Sequence, residues 1–174
     1  MRKVLLLLLL LLTAAPLRAQ APEYDLKAAF LFNFAKFVEW PASAFAGERA
    51  PLTICVYGED PFGPALDAVV QNERVGERSL LVQRPDSVDD LDECHVLFIA
   101  RSQKGRLGEV MEQIKGEPVL TVSDTDGFLR AGGVINFILE GSKVRFLIGQ
   151  EAAQRSGLRI SSKLMRLAVN TGGR

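Results

Sequence analysis

Three short, almost wholly apolar runs, at positions 52–57, 94–100 and 118–122, constrain this chain more than any other feature of its sequence. Each has the length of a strand rather than a helix. The absence of a polar alternation within them fits strands covered on both faces. Helix-like stretches lie between them. Residues 62–70 follow Asp60-Pro61, a favoured N-cap and first helical residue. Residues 105–115 place Leu107, Val110, Met111 and Ile114 on one side. With a further candidate strand at 79–83, the order predicts parallel β–α–β units with right-handed crossovers.

The flanking regions read differently. Residues 24–38 predict a helix in which Leu26, Phe30, Phe34 and Phe37 recur on one face, ended by Trp40-Pro41. Near the other end, Gly132-Gly133 leads into a strand at 134–139. Glu140-Gly141-Ser142 then turns into a strand at 143–148, which is a hairpin signal. A helix at 150–156 is closed by Gly157, and Ser161 or Ser162 can cap a last helix running to 169. The expected fold is one α/β domain over residues 22–170. Its sheet is mixed, parallel in the first part and antiparallel at the hairpin, with helices packed on it.

The first nineteen residues predict export. Arg2 and Lys3 precede an unbroken apolar run at 4–12, and small residues follow through Ala14, Ala15 and Ala19. That is the three-part pattern of a secretory signal peptide, with cleavage expected after Ala19. The run falls short of the roughly 20 apolar residues a bilayer span needs. Basic and acidic residues number 21 each in the full chain, and the leader holds Arg2, Lys3 and Arg18 with no acid. The expected mature chain is therefore slightly acidic, which gives no support to nucleic-acid binding.

Export also changes how the two cysteines read. In an oxidising compartment Cys55 and Cys94 are expected to form a disulfide, either a structural staple or a redox-sensitive one. Their spacing is far from CxxC, and with the lone His95 they make a poor zinc site. If the strands at 52–57 and 94–100 are neighbours, the pair would sit near bonding distance.

No catalytic constellation emerges. His95, within an apolar strand, reads as a hydrogen-bonded core residue. Ser161-Ser162-Lys163 reads as a helix cap rather than a nucleophile with its base. Asp124 and Asp126 lack the further ligands of a calcium loop and read as turn residues. The 58–63 loop has neither the Gly-Lys-Ser/Thr of a phosphate loop nor GxGxxG. A weak anion site remains, with Arg159 just before Ser161 at a helix start and Trp40 as a stacking surface.

Several segments together resemble the YfiR-like periplasmic proteins. They are YDLKAAFLFNFAKFVEWP from Tyr24, ICVYG from Ile54, CHVLFI from Cys94, PVLTVS from Pro118, GGVINF from Gly132, VRF from Val144 and GLRISSKL from Gly157. The resemblance spans nearly the whole expected mature chain. It implies a periplasmic α/β protein without enzymatic activity, cofactor or metal. Such a protein binds the periplasmic sensor region of an inner-membrane diguanylate cyclase and holds the enzyme inactive. An outer-membrane lipoprotein that sequesters it would raise cyclic di-GMP and biofilm formation. A homodimer follows by analogy.

Two departures from that family pattern matter. Residues 125–136 lack the second cysteine pair of the characterised type, and Leu147 stands where an acid usually follows Val-Arg-Phe. Expected partner contacts are Ile135, Phe146, Leu147 and Ala153, on the hairpin and the helix after it. The alternative is a small-ligand sensor with a pocket at Trp40, Arg159 and Ser161.

Overall fold

The computed structural model describes residues 20–169; the expected leader and its cleavage point lie outside these. In chain order the elements begin with α1 (Gln20–Phe37), β1 (Val38–Glu39), β2 (Leu52–Tyr57), α2 (Pro64–Val70), β3 (Arg74–Val75) and β4 (Arg78–Gln83). Next come β5 (Val96–Ile99), α3 (Leu107–Gln113), β6 (Leu120–Ser123), β7 (Ile135–Glu140) and β8 (Lys143–Ile148). The chain ends with α4 (Gln150–Arg155), β9 (Arg159–Ile160) and α5 (Ser162–Leu167). Short 3-10 turns precede β5 and α3.

Seven strands form one sheet in the order β3-β4-β2-β5-β6-β7-β8. The five from β4 to β7 are parallel, and both rims, β3–β4 and β7–β8, are antiparallel. This is the expected α/β domain with its mixed sheet. Every residue of β2, β5 and β6 is buried, because helices or turns cover both sides. The two faces separate cleanly by strand alternation. Ile54, Val56, Val96 and Phe98 join α1, α2 and the hairpin in one core. Cys55, Tyr57, Leu97 and Ile99 join Leu91, Val110 and Ile114 in the other.

Helix α1 packs by the face its phenylalanines predict, except that Leu26 is left out of it. Leu26 is exposed and Phe30 only half-buried, while Ala28, Leu31, Phe34 and Ala35 are fully enclosed. The buried stripe also takes in Lys27, which an apolar periodicity cannot register. Phe34 still anchors the helix, its ring 5.6 Å from Phe137 and 5.0 Å from Phe146 on the hairpin. Helix α2 starts at Pro64, behind Gly63, rather than at Asp60. Asp60 instead accepts from the Phe62 amide at 2.7 Å, closing a turn over its own backbone.

Cys55 and Cys94 are disulfide-bonded with Cα atoms 5.7 Å apart. Cys94 sits just ahead of β5 rather than within it. A second sheet of two-residue strands, unforeseen from sequence, pairs Val38 with Ile160 and Glu39 with Arg159. Two residues carry no periodicity, so nothing local could signal it.

Candidate functional site

The most unusual chemistry lies at the carboxyl edge of the parallel strands. Asp124 follows β6 and is buried. Its Oδ2 accepts from the Tyr24 hydroxyl at 2.7 Å and from Lys27 Nζ at 2.6 Å. Lys27 also binds Glu23, one turn back on α1, and its ammonium stands 4.2 Å from the Tyr24 ring centre. Arg101, beyond the end of β5, brings Nε to 3.1 Å from Asp124 Oδ1 without hydrogen-bond alignment.

Electrostatics hold this cluster in one charge state. Burial raises the Asp124 pKa, but bonds from Lys27 and Tyr24, together with the Lys27 and Arg101 charges, outweigh it and leave the carboxyl below its usual value. Burial, and then the bond to Asp124, push the Tyr24 hydroxyl well above its ordinary value. A proton-transfer role needs a group titrating near working pH, and both shifts run away from neutrality. The cluster acts as an ionic latch holding α1 to the sheet. Asp124 is therefore more than the turn residue its sequence context predicts, while Asp126 is exposed.

His95 is locked as a neutral ring. The Thr53 amide donates to Nδ1 at 3.1 Å and Nε2 lies 3.0 Å from the Ala44 carbonyl, an arrangement that assigns the proton to Nε2. Burial lowers its pKa, the bond to Ala44 partly opposes this, and the Arg78 charge lowers it further. A depressed folded-state value contributes stability that is complete above the unfolded value of about 6.5 and lost as pH falls below it. The wild type should therefore lose more thermal stability than His95→Gln between about pH 7.5 and about pH 5.5. Parallel losses in the two proteins would exclude His95 as the source.

The expected ligand residues do not line one cavity. Trp40 donates Nε1 to the His95 carbonyl at 3.3 Å and packs edge-on to that ring. Arg159 is exposed, lies 3.4 Å from Glu39, and borders an open groove of about 810 Å³ with Ala153, Leu158 and Met165. Ser161 accepts from the Leu164 amide at 3.2 Å, capping α5. Lys163 places Nζ over the Phe37 ring. Of the expected partner contacts, Ile135, Phe146 and Ala153 are enclosed in the core, and Leu147 is half-buried on the outer strand. No group of three or more metal-ligating side chains occurs among the described residues.

Arg101 lies in no segment singled out in the sequence, and although Tyr24 and Lys27 open the family-like N-terminal segment, their meeting at Asp124 depends on sequence-distant contacts. The only clue in the sequence is a lysine and a tyrosine within an otherwise apolar helical stripe.

A family model described as YfiR/HmsC-like matches residues 24–169. A solved structure, described as a conserved domain protein from Vibrio cholerae O1 biovar El Tor, superposes with a TM-score of 0.52 at 8% identity. The match covers 67% of this chain and 53% of that one, about half its length, and it supports the fold alone.

Proposed function

The chain belongs to the YfiR/HmsC-like family, and on that premise we propose that it is a periplasmic regulator of an inner-membrane signalling protein. The target is a diguanylate cyclase, whose periplasmic sensor region the chain binds to hold the enzyme inactive. Cleavage of the leader after Ala19 belongs to this reading, as does release by an outer-membrane lipoprotein. The observation that carries it is the family match over nearly all the described residues. A regulator of this type works by differential affinity for its partners and needs contact surface rather than a reactive centre.

The hairpin suits that surface. β8 is the outermost strand of the sheet, and its alternate residues Lys143, Arg145 and Leu147 point away from the core. Leu139, on the neighbouring strand, is half exposed. An edge strand with mixed apolar and basic side chains offers both backbone and side-chain contacts. Among the described residues, the Val169 amide caps one β8 carbonyl, that of Phe146, at 2.8 Å.

Pull-down from a cell-envelope extract tests the proposal. The wild-type chain should recover an inner-membrane sensor protein, and Arg145→Glu, at an exposed position of β8, should lose it without a change in melting temperature. Recovery of no inner-membrane sensor would reject the reading.

A further inference from the structure

Strands β2 and β5 are parallel neighbours whose chains leave in opposite directions. From β2 the chain winds to β4 on one side, then returns to β5 on the other. In open α/β sheets such a reversal opens a crevice beyond the carboxyl ends of the strands, and ligands bind there. A hollow of about 410 Å³ occupies that place, walled by Tyr24, Pro61, Glu59 and Arg101. A second, of about 390 Å³, shares Glu59 and Ser102 with it and adds Gln103.

We propose that this crevice binds a small zwitterion of the free amino-acid class, its carboxylate on Arg101 and its ammonium on Glu59. The Arg101 side chain is 58% exposed, with Nε 3.1 Å from Asp124 Oδ1, and an exposed guanidinium fork can grip a carboxylate. Glu59 is exposed, and its carboxylate pairs with no cation among the described residues. Gln103 Oε1 is buried with no donor among the described residues, although buried acceptors are nearly always satisfied. Gln103 borders the second hollow together with Glu59. Asp60 is already committed to Arg84 at 2.8 Å.

The two loops are held in place before any ligand arrives. The Glu59 amide donates to Ser102 Oγ at 2.9 Å. A side chain at Gly58, where φ is +99°, would bring Cβ within 2.6 Å of that oxygen. The charges also select: a simple anion meets Glu59, a simple cation meets Arg101, and a dipolar solute satisfies both. The Tyr24 ring and Pro61 leave an apolar wall for its side chain.

Titration calorimetry and thermal shift on the isolated chain provide the test, independently of the regulatory reading. L-Serine, L-leucine and L-phenylalanine are the probes, with acetate and ethylammonium as controls. At least one amino acid should bind at millimolar concentration or below, and both controls should fail. Arg101→Gln and Glu59→Gln should each weaken binding about tenfold or more. Arg101→Gln also loses a contact to Asp124, whereas the Glu59 carboxylate makes none, so Glu59→Gln isolates the ligand effect. Silence from all three amino acids, equal binding of acetate, or unchanged affinity in Glu59→Gln would each overturn the assignment.

Discussion

Lys27→Ala should destabilise the protein by about 3–5 kcal/mol, the range for breaking one side of a buried ion pair. The substitution leaves the Asp124 carboxylate enclosed without its closest cation, 2.6 Å away in the intact protein. For a domain of this length the melting temperature should fall by on the order of 10 °C. A double replacement, Lys27→Met with Asp124→Leu, should recover most of the loss, because it removes both charges from the interior. The sign of the pH effect follows from the depressed Asp124 carboxyl. Its contribution is complete above the unfolded value of about 3.9 and disappears as pH falls through the lower folded value. Urea unfolding of the wild type, Lys27→Ala and the double variant across acidic pH measures all three effects. A Lys27→Ala protein within about 1 kcal/mol of wild type would show that the pair contributes little.

Removing the Cys55–Cys94 bond should cost about 4 kcal/mol, from the chain entropy of a loop with sequence separation 39. Both cysteines are buried, so reductant should act slowly on the folded protein and quickly once it is partly unfolded. Urea midpoints with and without reductant, beside Cys55→Ala/Cys94→Ala, give the magnitude. Denatured but unreduced protein should show no free thiol. Two reactive thiols per chain would refute the bond.

The order of elements was legible because it depends on local pattern. Apolar runs marked β2, β5 and β6 from their residues alone, and Glu140-Gly141-Ser142 marked the hairpin. Failures came where a distant contact overrides the local signal. The stripe of α1 turned away from Leu26 because Asp124, far along the chain, draws Lys27 inside. Asp60-Pro61 looked like a helix start, yet Asp60 bonds Arg84 and the Phe62 amide, and the helix begins after Gly63. The ionic latch and the β2–β5 crevice are products of topology. Their residues come from segments that share no spacing rule, so only the assembled sheet brings them together.

The two-residue pairing of β1 with β9 bears on the order in which the molecule can be completed. The carbonyl of Phe37, at the end of α1, is bonded by the Ser161 amide, which lies near the far end of the chain. A polypeptide emerging from its N-terminus must therefore carry α1 unfastened at one end until almost the whole chain is present. The first helix of the described residues is joined at its C-terminal end to one of the last segments of the chain. Amide exchange at Ser161 and Ile160 should report that closure, and shortening the chain before Arg159 should leave a form that never reaches it.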